Sequence, residues 1–205
     1  MRVKGSEGRS PAQTARRAQI VAATIETIAE LGYGQASFAR IAERAGLSST
    51  RLISYHFSGK SELIQAVLAQ VYAEMADHMA EQMQDVRGPR DALLTYIRAL
   101  VAFIADHPIQ MRALMSVFLD YRAEDGGRSY GGDDERQAVA PLQDILRAGQ
   151  ATGEFRDFDV FVVASTIQRA IDGLPFLLQT APDLDLAAYA EELVAMFDLA
   201  TRNAP

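Results

Sequence analysis

Residues 37–57, SFARIAERAGLSSTRLISYHF, can fold in few ways. Phe38, Ile41, Ala42 and Ala45 recur at helical spacing, while Arg40, Glu43 and Arg44 take the other side. Gly46 stops that helix, because a residue without Cβ enters a tight left-handed reversal at little cost. Ser48 follows as the expected N-cap of a second short helix. Ala42 is small enough for a close crossing, and Leu47 and Leu52 are expected to face back onto the first helix. The pattern is a helix-turn-helix. Its second helix turns Ser49, Thr50, Arg51, Ser54 and Tyr55 outward, and hydroxyls, a guanidinium and a phenol on one face can reach phosphates and base edges from a major groove. The plainer alternative is a helical corner with a polar surface.

Charge separates the two. The chain of 205 residues carries a net charge of −7, but residues 1–60 hold nine Lys or Arg against four Asp or Glu, a net of +5. The remainder holds eleven against twenty-three, a net of −12. A basic N-terminal module on an acidic body suits a polyanion partner at one end only. There is no cysteine, so disulfides and thiol chemistry are excluded, which fits a reducing cytosol. The basic N-terminus has no apolar run behind it and is not expected to be a leader. The longest apolar stretch, residues 158–178, contains Asp159, Gln168, Arg169, Asp172 and Pro175 and is expected to be too polar to span a bilayer.

The other segments are also helical. Residues 1–13 read as a flexible arm, and residues 14–31 as a helix with Ile20, Ala23, Thr24, Thr27, Ile28 and Leu31 on one face. Arg16 and Arg17 stand near its start, as phosphate contacts or as solvated charges. Ser58-Gly59-Lys60-Ser61 turns into a helix running to about Met83, whose first amides and Lys60 make a seat for a phosphate. Further helices are expected over residues 90–105, 109–121, 135–151, 157–179 and 186–201, with a mobile loop at 124–134. Pro141 requires its helix to start nearby or to kink. No strand pattern occurs. The reading is an all-α fold of about nine helices: the arm 1–13, a three-helix helix-turn-helix head over 14–60, and a body over 61–205 reached by one long helix.

The chain resembles the tetracycline-repressor (TetR) family of bacterial transcriptional regulators. The residues that carry this are Ala29-Glu30-Leu31-Gly32-Tyr33, Ile41-Ala42, Ala45-Gly46-Leu47-Ser48, Tyr55-His56-Phe57 and Lys60-Ser61-Glu62-Leu63, with Gly153-Glu154-Phe155-Arg156 as a less specific addition. The resemblance implies a cytoplasmic homodimer joined through the last two long helices, and a body cavity in which a small effector lowers affinity for an operator. By position it assigns Arg40, Ser48, Thr50, Arg51, Tyr55, His56 and Lys60 to DNA. Two-fold symmetry would make the operator roughly palindromic.

Other chemistries were weighed against this reading. Gly127-Arg128-Ser129-Tyr130-Gly131 matches a nucleophile elbow, but no strand precedes it and no histidine follows His107, so a solvent loop is expected. Glu74 and His78, with Asp77 or Glu81, form either a metal site or a charged helix face, and the second is preferred. No cofactor is expected. Met75, Met79, Phe103, Met111, Met115, Phe118, Phe161, Gln168 and Phe176 are candidates for an effector pocket, with plain core packing as the alternative for each. Gln168 and Arg169 are the polar groups of interest there, since a buried amide or guanidinium needs a partner. A helical enzyme or carrier with an incidental helix-turn-helix is the competing reading. An activator or an architectural DNA-binding protein is a third.

Overall fold

The computed structural model describes residues 10–120 and 132–203, and their side chains except at 132–138. Among these residues lie ten α-helices: α1 (Pro11–Leu31), α2 (Phe38–Arg44), α3 (Arg51–His56), α4 (Lys60–Gln82), α5 (Pro89–Asp106), α6 (Pro108–Asp120), α7 (Gly132–Thr152), α8 (Val160–Asp172), α9 (Leu174–Thr180) and α10 (Leu186–Thr201). A 3-10 turn, Tyr33–Gln35, follows α1. The all-α expectation holds, and the tenth helix comes from a split. Pro175 has no amide to continue the ladder, so the helix expected over 157–179 stops at Asp172 and restarts past Gly173. The segment 124–130 and the Gly127–Gly131 motif lie outside the described residues, but Gly132 already opens α7, which passes through Pro141.

By contacts the described residues form two units. The first takes in Met1–Val71 and Arg112–Gly127, the second Tyr72–Met111 and Arg128–Pro205. This division falls inside α4 rather than at Lys60, because Leu63, Ile64, Val67 and Val71 are buried like the core of the first unit. That core also holds Ile20, Ile28, Ile41, Ile53 and Phe57, with Ala113 and Val117 from α6.

α1 starts earlier than expected. Ser10 and Gln13 form a reciprocal capping box around Pro11, so residues 11–13 are helical and not part of an arm. Leu31, expected inside, is 39% exposed.

In the second unit α5 packs along α10 and against α7, and α7 packs on α8. Leu93, Ile97, Leu100, Leu142, Leu146, Ile167, Ile171 and Leu193 fill the space between them. Val160–Thr180 is long and apolar enough by composition to cross a membrane, contrary to the sequence reading of that stretch. Its break at Gly173 and the burial of Ala164, Ile167 and Ile171 fit a helix pair packed in a protein core. The face left outward carries Phe161, Val162, Phe176 and Leu177, and α10 exposes Met196 and Leu199.

Candidate nucleic-acid interface

The reversal between α2 and α3 is built on Gly46, at φ +62°. Leu47 N donates to Ala42 O at 2.8 Å and Gly46 N to Glu43 O at 3.1 Å, closing the end of α2 as glycine-terminated helices do. Gln19 Nε2 reaches from α1 to the Ala45 carbonyl at 2.7 Å. These bonds fix where α3 begins, two residues later than expected. Its N-cap is Thr50 and not Ser48, and it is Ser49 Oγ that accepts from Arg51 N, at 3.1 Å.

Ile53, fully buried, and Phe57, 1% exposed, hold α3 to the head. Leu52 does not: at 37% exposure it lies on the surface, because the later start rotates the helix and brings Ile53 inward. Ser48, Thr50, Arg51, Ser54 and Tyr55 are exposed, Tyr55 by 70%, and Ser49 is half-buried. One short helix thus presents a guanidinium, hydroxyls and a phenol to solvent. His56 is half-buried with its ring edge-on to Tyr55, centroids 5.1 Å apart.

The basic residues divide. Arg16 and Arg51 make no ion pair among the described residues; Arg16 bonds only Gln19, at 2.8 Å. Arg40 is exposed and donates to the carbonyl and side chain of Gln35. Arg17 is a different case, because its guanidinium is engaged within the chain. Its Nη1 donates to His56 O at 2.6 Å, its Nη2 to Glu62 Oε1 at 3.0 Å, and its guanidinium lies 3.9 Å from the centre of the Phe57 ring. Arg17 therefore clamps the end of α3 to α1 and α4. Glu62 also accepts from Ser58 N and Oγ, and those two bonds, followed by Arg17, draw its carboxyl down to about 2.

Lys60 is turned inward as well. Its Nζ donates to Tyr33 O at 3.0 Å and sits 4.1 Å from the Tyr33 ring centre, and burial lowers its pKa. The Tyr33 amide in turn donates to Ser116 Oγ of α6 at 2.8 Å. A phosphate at Lys60 would have to share the ammonium with Tyr33.

The sequence reading missed Gln13. Its Oε1 caps Ser10 N while its Nε2 donates to Tyr55 Oη at 3.3 Å, tying the start of α1 to the outer face of α3. The signal was there in Ser10-Pro11-Ala12-Gln13, a capping box with proline at its first helical position.

The effector candidates fall in both units. Met115 and Phe118 belong to the first unit, the other seven to the second. Phe103 and Met111 are buried, Met75, Met79 and Met115 half-buried, and Phe118 is 36% exposed. Phe161 and Phe176 are 53% and 41% exposed, on the outer side of α8 and α9. Gln168 is buried. His78 Nε2 lies 3.0 Å from Ala99 O and His107 Nδ1 3.0 Å from Phe103 O, with the His107 ring stacked on Phe103. Both histidines thus serve α5.

Residues 20–67 match the family described as bacterial regulatory proteins, tetR family. The chain is 34% identical over 110 residues to HTH-type transcriptional regulator BetI 1 of Chromohalobacter salexigens, covering 53% of this chain and 52% of that protein. It is 30% identical over 145 residues to HTH-type transcriptional repressor NicS of Pseudomonas putida, covering 69% and 66%. The matches thus span about half to two thirds of these relatives' length. The fold is shared with the transcriptional regulator FadR of Bacillus subtilis, solved with stearoyl-CoA, at a TM-score of 0.76 and 21% identity over 88% of this chain and 96% of that one.

Proposed function

The chain belongs to the tetR family of bacterial regulatory proteins and is a DNA-binding transcriptional regulator, and from this we propose that it is a ligand-responsive repressor. In this reading the head, residues 14–60, grips a palindromic operator, and the body, residues 61–205, pairs with a second copy and takes a small hydrophobic effector that loosens the grip. The protein works in the cytoplasm. The observation that carries the reading is the outer face of α3, where Thr50, Arg51, Ser54 and Tyr55 stand exposed while Ile53 and Phe57 anchor the helix from behind. A short helix so held can lie in a major groove with its polar side on phosphates and base edges.

The exposed apolar residues of α8, α9 and α10 support pairing, since Phe161, Val162, Phe176, Leu177, Met196 and Leu199 are costly to leave in water. Arg16, Arg40, Ser48, Ser49 and His56 complete the DNA-facing set, with Lys60 as a contact shared with Tyr33. The relatives' names support a regulator over an enzyme or carrier. Footprinting on the DNA upstream of the protein's own gene tests the whole reading. Protection of two half-sites about one helical turn apart, weakened by salt and abolished by Arg51→Ala, is expected. Uniform protection of unrelated duplex would refute an operator-specific repressor.

A further inference from the structure

Ser165, Gln168 and Asp172 recur along α8 at the spacing that puts residues on one side of a helix. They flank the buried stripe of Ala164, Ile167 and Ile171, on the side of the helix that carries the exposed Phe161 one turn before Ser165. Gln168 is only 7% exposed, and Asp172 decides how its amide is turned. An ionised carboxylate can only accept, so the atom 2.7 Å from Asp172 Oδ1 is Nε2, and Oε1 points the other way. That Oε1 and Ser165 Oγ are both buried, and neither has a hydrogen-bond partner among the described residues. A buried acceptor left unpaired is costly, whereas leucine would fill the same space at no such cost.

The surroundings restrict what can satisfy the pair. α5 packs against α8 and brings Tyr96, 9% exposed, whose phenol is pushed up to about 12 by burial and then by the charge of Asp172. This flank therefore presents a neutral phenol at physiological pH, beside a carboxylate that is itself 41% exposed. Asp172 is already engaged by Gln168 and by Arg169 Nη1 at 3.3 Å, so an arriving cation would have to compete for it. An anion would face a carbonyl oxygen and a carboxylate.

We propose that Ser165 and Gln168 are the polar recognition point of a small-molecule site in the second unit. The site takes a neutral, largely apolar molecule whose hydroxyl or N–H donates to Gln168 Oε1, with Ser165 Oγ as the second partner. This deepens the ligand-response reading and rests on it for its biological role, while the chemistry of the site stands on the orphaned atoms alone.

Four matched probes test it by calorimetry or ligand-observed NMR on the full chain: benzyl alcohol, ethylbenzene, benzylammonium and benzoate. Benzyl alcohol is expected to bind best. Gln168→Leu should shrink its advantage over ethylbenzene by about tenfold, the scale of one lost hydrogen bond. The unliganded Gln168→Leu protein should melt no lower than the wild type. If that variant fails to fold, Ser165→Ala should shrink the same ratio severalfold. Equal binding of alcohol and hydrocarbon, tighter binding of either ion, or an advantage unchanged by both substitutions overturns the site. Fluorescence anisotropy on the operator, run in parallel, separates the two claims. Alcohol bound through Gln168 without release of DNA keeps the site and refutes the ligand response, whereas release that ignores Gln168 and Ser165 does the reverse.

Discussion

Replacing Arg17 by alanine sets two accounts of one residue against each other. In the sequence Arg17 reads as a contact to the DNA backbone; in the structure it holds the end of α3. Its bond to His56 O at 2.6 Å has a charged donor, and such bonds contribute about 1.5–3 kcal/mol. The side chain is 20% exposed, which favours the lower end of that range. The guanidinium over Phe57 adds about 0.5–1 kcal/mol. The pair with Glu62 is screened by solvent and receives no share. Arg17→Ala should therefore cost about 2 kcal/mol in urea unfolding at fixed protein concentration, with Arg17→Lys recovering only part because lysine lacks the planar fork. The salt dependence of binding to a duplex gives the second readout. Each phosphate neutralised contributes about 0.9 to the slope of log K against log salt, so Arg51→Ala in a dimer should lower it by about 2. Arg17→Ala should leave that slope unchanged. A variant that keeps wild-type stability but loses slope would refute the clamp and restore Arg17 to the DNA surface.

The Glu62 carboxyl should titrate near 2 by carboxyl-detected NMR. Because its folded pKa is depressed, its stabilising contribution is present above the usual carboxylate range and is lost as pH falls through about 2; Arg17→Ala should raise the midpoint only partly, since Ser58 supplies the larger share. A methyl group at position 149 would run into the Phe155 ring, which is 2% exposed and has nowhere to go, so Gly149→Ala should lower stability by about 1–3 kcal/mol by denaturant titration. Met196→Glu combined with Phe161→Glu should convert the protein to a single subunit in sedimentation without lowering its helical content, because both side chains are more than half exposed in the lone chain.

Periodicity alone located most helices to within a few residues, and α10 was placed at its observed bounds, because buried apolar positions recur where packing requires them. Three features were legible and passed over or misread. The capping box at Ser10 and Gln13 was a local signal, and Pro175 was a breaker already noted as polar punctuation in an apolar run. The start of α3 was harder, since Ser48, Ser49 and Thr50 are all competent caps and only the bonds closing α2 decide among them. What no local pattern carried was the use of the charges. Arg17, Arg40 and Arg51 look alike in the sequence, yet one is clamped across residues 56, 57 and 62, one holds Gln35 and one stands in solvent. For Arg17 that distinction depends on partners dozens of residues away. Which effector candidates face inward was illegible for a related reason: methionines and phenylalanines on a helix carry no mark of whether their face turns inward or toward a second copy.

The Gly153–Arg156 turn shows how a weak sequence mark can acquire a structural reason. Gly153 takes φ +77°, and Phe155 drops into the space left by the missing side chain at Gly149. From there Arg156 N donates to Thr201 O at 2.9 Å, Arg156 Nε to Ala200 O at 2.8 Å, Asn203 N to Glu154 O at 3.1 Å and Asn203 Nδ2 to Gly153 O at 3.0 Å. Arg90 adds a forked pair with Asp198 and a backbone bond to Glu154, so the start of α5 joins the same knot. The lead-in to α8 and the exit of α10 are thus fixed to one another at a single place. Those are the helices that expose Phe161 and Val162 on one side and Met196 and Leu199 on the other. A self-complementary face must present the same relief on both copies, and two helices free to slide would present a range of reliefs. Fixing them at one end removes that freedom. A turn need not touch the partner to determine whether the partner fits.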